Sequence, residues 1–119
     1  MSEKYVDSFV MPVSKSKLED YKKFAEKMAM LARKHGALEY VNCIADDVKP
    51  GSETSFPQSV KLGEDEVVVM SWAVYKSRED RDRANKAIMA DDGFKELSQN
   101  LPVDGKRMFT GGFAVLRGM

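Results

Sequence analysis

Only one cysteine, one histidine and one tryptophan occur among the 119 residues. Cys43 by itself cannot close an internal disulfide or build a cysteine-based zinc site, and a lone thiol suits a reducing compartment. His35 by itself excludes a metal centre built mainly on imidazole, and any Ser-His triad would depend on it. There is no Gly-x-Ser-x-Gly elbow, no phosphate-cradling Gly-x-x-x-x-Gly-Lys loop, no calcium loop and no His-Glu-x-x-His zinc helix. No apolar run approaches the roughly 18 residues needed to span a bilayer, and the Met-Ser-Glu-Lys start has no signal-peptide core. An excess of one charge sign is missing as well: nineteen basic residues meet nineteen acidic ones. Without a net field, neither phosphate backbones nor anionic lipids are attracted over a distance. The expectations are a cytoplasmic protein without nucleic acid or membrane as partner, with no cofactor and no metal. Chelators and divalent metals should then leave its thermal stability unchanged.

A chain of this length fits one domain spanning residues 1–119. Tyr5 to Val13 alternates as a strand does and ends at Pro12-Val13-Ser14. Ser16 and Glu19 have the spacing of a capping box, and Leu18, Tyr21, Ala25, Met28 and Ala32 recur at helical intervals up to about His35, where Gly36 can adopt the left-handed conformation that ends a helix. Leu38 to Ala45 is a second strand. A turn-rich loop from Asp46 to Gly63 follows, longer than most connections in compact domains and so a candidate cover. Glu66 to Tyr75 is the strongest strand, apolar without a break from Val67 to Met70. Ser77 can cap a second helix with Ala84, Ala87 and Ile88 on its buried side, and Glu79 with Arg83 and Asp82 with Lys86 as pairs four apart. Asp91-Asp92-Gly93 interrupts that helix, a short helical piece runs from Phe94 to Leu101, and Arg107 to Leu116 is the last strand.

The order strand, helix, strand, strand, helix, strand predicts an α+β fold, the ferredoxin-like β-α-β-β-α-β unit: a four-stranded antiparallel sheet with both helices on one face. Two helices cover only that face. The other carries alternate strand residues too apolar for water, which points to a twofold homodimer, sheet to sheet, with an enclosed space between protomers.

Several stretches resemble the YbaA-like family of bacterial proteins. They are Tyr-Val-Asp-Ser-Phe-Val at 5 to 10, His-Gly-Ala-Leu-Glu-Tyr-Val at 35 to 41, Ala-Asp-Asp-Val-Lys-Pro-Gly at 45 to 51, Ser-Trp-Ala-Val-Tyr-Lys-Ser-Arg at 71 to 78 and Asp-Gly-Lys-Arg-Met-Phe-Thr-Gly-Gly-Phe at 104 to 113. The resemblance covers nearly the whole chain. It implies a dimeric α/β barrel of the ferredoxin-like superfamily, a group that includes cofactor-independent monooxygenases, haem proteins and muconolactone isomerase-type enzymes. It supplies no reaction and no catalytic residues, since a shared fold does not transfer chemistry.

Polar side chains inside strands are the candidates for function, because a buried polar group needs a partner or a ligand. Asp7, Ser8, Asn42, Ser71 and Thr110 are of this kind. Asp7 and Phe9 point the same way, assigned here to the dimer cavity. Asn42 joins them with Tyr40 and Ile44, leaving Val41, Cys43 and Ala45 to meet the helices. Ser71 and Trp72 face opposite sides, and either can reach the cavity. The expected ligand-binding set is therefore Asp7, Phe9, Asn42, Ser71 and Trp72, with Asp7 as orienting or proton-transferring group. The alternative pairs Asp7 with a base such as Arg117. In the cavity reading, Asp7→Asn leaves stability at pH 8 equal or higher.

His35 reads as a structural residue at a helix end, and Cys43 as a small hydrophobe rather than a nucleophile. The charge run from Lys76 to Arg83 reads as a solvated helix face, and Lys106-Arg107 as bases flanking a turn. Gly111-Gly112 marks a bulge, a close backbone approach or room for a ligand. Three functions are compatible with this pattern: a homodimeric small-molecule-binding protein or enzyme, a cofactor-independent oxygenase-like enzyme in which Trp72 and Asn42 position the substrate, and a dimeric stress or assembly module without a ligand.

Overall fold

The computed structural model describes residues 4–118, so the Met1 to Glu3 start read above for a leader lies outside them. Strand β1 (Tyr5–Ser14) leads through a 3-10 turn into helix α1 (Leu18–Lys34) and strand β2 (Glu39–Ile44). A short α2 (Phe56–Ser59) interrupts the long loop before β3 (Glu66–Tyr75), and α3 (Arg78–Ala90), α4 (Asp92–Leu97) and β4 (Phe109–Ala114) complete the chain. The sheet is antiparallel in the order β2-β3-β1-β4, the ferredoxin-like arrangement expected from the sequence.

Local signals place most element ends. Ser77 Oγ accepts from the Asp80 amide and Asp91 Oδ1 from the Gly93 amide, so α3 and α4 start on side-chain caps. Gly36, at φ +117°, takes the left-handed conformation after α1 that a side chain would resist. The capping box does not form. Lys15–Lys17 turn as a 3-10 helix, Lys17 precedes α1 without a side-chain cap, and Ser16 Oγ meets Ser14 Oγ at 3.0 Å instead.

The helices cover the face that carries Met11, Val13 and Val69, which pack with Tyr21 and Ala25 of α1. A second cluster joins Ala73 and Tyr75 to Ala32, Ala84 and Ile88. Strand register extends this face across the sheet. Thr110, Phe9, Ser71 and Asn42 form one cross-strand row, and Gly112, Asp7, Ala73 and Tyr40 the next. The opposite face carries Val10, Val68, Met70, Trp72, Phe109 and Phe113.

Part of that opposite face is occupied by the long loop, which acts as the cover its length suggested. Val60 is 1% exposed and packs on Val10 and Val68, with Ala45 and Leu62 beside it. Arg107 holds the loop's end. Its guanidinium makes a two-pronged contact with Glu66, at 2.7 and 2.6 Å, and also binds Asp104 at 2.8 Å and the Lys61 carbonyl at 3.0 Å. These bonds hold the Glu66 and Asp104 carboxyls below the usual carboxylate range. Arg107 is thus a structural tie, not a free base beside a turn.

Candidate functional site

The sheet divides the residues expected to share a cavity. Asp7, Phe9, Asn42 and Ser71 lie on the helix-covered face, and Trp72 lies alone on the other, where its indole N–H donates to Glu39 Oε1 at 3.0 Å. The assignment of Asp7, Phe9 and Asn42 to the open face is therefore inverted. On β2 the side chains that meet the helices are Tyr40 and Asn42, while Val41 and Cys43 share the register of Trp72 and Met70 on the open side.

Asp7 is buried because α3 brings it a partner. Arg81 Nη1 donates to Asp7 Oδ1 at 2.5 Å and Asn85 Nδ2 to Asp7 Oδ2 at 3.3 Å, so the ion pair forms with Arg81 rather than with Arg117. The side chains of Asp7 and Arg81 are only 6% and 16% exposed. Arg81 also contacts Asp82 at 2.8 Å and lies over the Tyr5 ring, 4.8 Å from its centre. The charge run on α3 is therefore not wholly a solvated face. The rest of it is, with Arg83 pairing Asp80 and Arg78 approaching Asp82 in place of the expected Glu79–Arg83 and Asp82–Lys86 pairs.

Gly112 faces this cluster. A Cβ there would fall 2.6 Å from the Tyr5 ring and 2.7 Å from Arg81 Nη1, so the glycine leaves room for neighbouring side chains. Gly112→Ala is expected to displace Tyr5 and Arg81 and to cost about 1–3 kcal/mol. The readout is a lower urea midpoint with unchanged slope; a wild-type midpoint would contradict the packing.

A second constellation joins the helices. His35 Nε2 and Lys34 Nζ approach Asp91 Oδ2 at 2.8 and 2.9 Å, and together with the Gly93 amide they hold the Asp91 carboxyl well below its usual range. His35 thus ties the end of α1 to the junction of α3 and α4, a structural role. Among the described residues no group of three or more His, Cys, Asp or Glu is arranged to hold a metal ion.

Among the hollows formed by the described residues, two border the sheet. One lies between α1 and the edge strand β2, with a volume of about 380 Å³, and Tyr21 and Asn42 among its walls. The Tyr21 hydroxyl donates to Asn42 Oδ1 at 3.1 Å, and burial pushes that hydroxyl's pKa up. The other lies on the open face beneath the long loop, about 140 Å³ between Phe56, Val68 and Met70. Sequence reasoning found Asn42 but missed Tyr21, whose apolar periodicity reads as core, and Arg81, hidden in a charge run. Arg81's position three before Ala84 was the signal that placed it on the buried stripe of α3.

The fold recurs in solved structures at low identity. A dimeric ferredoxin-like protein from an uncultured marine organism matches with a TM-score of 0.62 at 15% identity, covering 98% of this chain and 99% of the other. The cofactor-independent oxygenase SnoaB from Streptomyces nogalater matches with a TM-score of 0.60 at 17% identity, covering 98% and 96%. In sequence, the chain is 47% identical over 110 residues to the uncharacterized protein YbaA of Escherichia coli strain K12, covering 92% of this chain and 94% of that one. Residues 4–105 match the family described as protein of unknown function DUF1428, and the chain belongs to that family.

Proposed function

We propose that the protein works as a homodimer that binds a small apolar molecule between the open faces of two sheets. The observation that carries this reading is the apolar face the helices leave uncovered, where Met70, Phe109 and Phe113 are 37%, 46% and 60% exposed. Residues of this kind clustered on one face mark an association surface. The hollow under the long loop is below the roughly 300 Å³ of an ordinary ligand site, so a second sheet has to complete it. The matching marine protein is described as a dimer, which supports the same assembly. The free thiol of Cys43 suits a cytoplasmic location.

The oxygenase-like alternative has less support, because Asn42 and Trp72 lie on opposite faces of the sheet and cannot hold one substrate within a protomer. Light scattering at micromolar concentration is expected to give twice the chain mass of 13.4 kDa, and Phe113→Asp to give the single mass with the fold retained by circular dichroism. The monomer mass for the unmodified chain would remove this reading. A dimer whose interface is filled would leave only the assembly-module function.

A further inference from the structure

We infer that the hollow between α1 and β2 is a second binding site, complete within one protomer, for an uncharged apolar molecule carrying a hydrogen-bond acceptor such as a ketone oxygen. The hollow follows from sequence and topology together. Strand β2 is at the sheet edge, so only α1 flanks it, and α1 presents Ala25 and Ala29 one turn apart where larger side chains would close the gap. Val69, 1% exposed, forms the floor, and Ile44, 52% exposed, stands at the lip. A volume of about 380 Å³ falls within the roughly 300–1,000 Å³ usual for small-molecule sites.

The polar chemistry narrows the class of ligand. An asparagine amide has one acceptor oxygen and two N–H donors. The Tyr21 hydroxyl takes up the oxygen of Asn42, and no described residue accepts from its Nδ2. No buried side-chain nitrogen or oxygen among the described residues lacks a partner, so the unpaired Nδ2 is exposed to solvent, on a residue that lines the hollow. It is a fixed donor in apolar walls, and its complement is an acceptor on an apolar frame. Lys22 and Glu26, exposed on the rim one turn apart, have opposite charges and create no net field to favour an ionic ligand. Asn42 makes the contact, and Tyr21 is a positioning residue that fixes the amide's orientation.

The test uses 1-indanone and its hydrocarbon counterpart indane as probes, with nitrogen–proton correlation NMR on the full chain. Saturable shifts of the Asn42 side-chain amide and of the Ala25 and Ala29 backbone signals are expected with 1-indanone. Indane should bind about tenfold more weakly, the worth of one favourable hydrogen bond. Asn42→Leu should remove the preference for the ketone, and Ala29→Phe should abolish binding of both by filling the space. If Ala29→Phe fails to fold, Asn42→Leu decides the question. Equal affinity for the two probes, shifts confined to the open face around Met70 and Phe113, or no saturable shift at Asn42 would each overturn the assignment. The Phe113→Asp monomer should still bind 1-indanone, so loss of the dimer and loss of this site are separately detectable.

Discussion

Asp7→Ala is expected to lower folding stability by about 3 kcal/mol, the low end of the cost of removing one partner from a buried ion pair. Arg81 would keep Asp82 but lose its contact to the sheet, leaving a largely buried guanidinium short of one counter-charge. Asn85 would lose its acceptor as well. Asp7→Asn keeps the size and one acceptor oxygen but not the charge, so a smaller loss of about 2 kcal/mol is expected, near the worth of hydrogen bonds to a charged group. Urea unfolding at pH 8 gives both values. This is the opposite sign to the expectation drawn from the sequence, in which an unpaired Asp7 in a cavity gains from losing its charge. Replacing the pair together, Asp7→Ala with Arg81→Met, should cost less than the sum of the single changes because no orphaned charge remains. Wild-type stability for Asp7→Ala would refute the pairing.

The chain should unfold in alkali between about pH 10, where unperturbed tyrosines ionise, and pH 12. Burial pushes the Tyr40 and Tyr75 hydroxyls up to about 12, with Tyr75 next to Tyr40 and Asp7 next to Tyr75 adding to the effect. Tyr21 is raised in the same direction. A group whose pKa is higher in the folded state contributes stability that is intact below its unfolded pKa and lost as the pH rises through the folded value. Ionising either hydroxyl in the folded chain would leave a desolvated phenolate, so the fold opposes their titration until it opens. Tyrosinate absorbance and circular dichroism should therefore change together. Tyr75→Phe, which removes one titrating group, should move the transition to higher pH. Titration of these tyrosines near pH 10 with the fold intact would show that they are not desolvated.

How much of this was legible beforehand differs between elements. Gly36, Ser77 and the unbroken apolar run of β3 marked their own element ends, because a left-handed turn, a capping oxygen and strand periodicity act over a few residues. The capping box at Ser16 is the exception, its serine drawn into a 3-10 turn that leads off β1. The order of the main elements, the antiparallel sheet and the face that the helices leave free followed from the sequence by itself, since each depends on local period and on how much surface two helices can cover; that the long loop covers part of that face did not.

Only the tertiary structure decided which face each strand residue serves. Alternation fixes that Asp7 and Phe9 point together and that Asn42 and Cys43 point apart, but it is symmetric between the two sides of the sheet. What breaks the symmetry is a long-range partner: Arg81, more than seventy residues away along the chain, makes the helix side hospitable to a carboxylate, and Tyr21 does the same for Asn42. A buried polar group goes where its hydrogen bonds are satisfied. That condition depends on which helix packs over which strand, and residue order alone does not encode it.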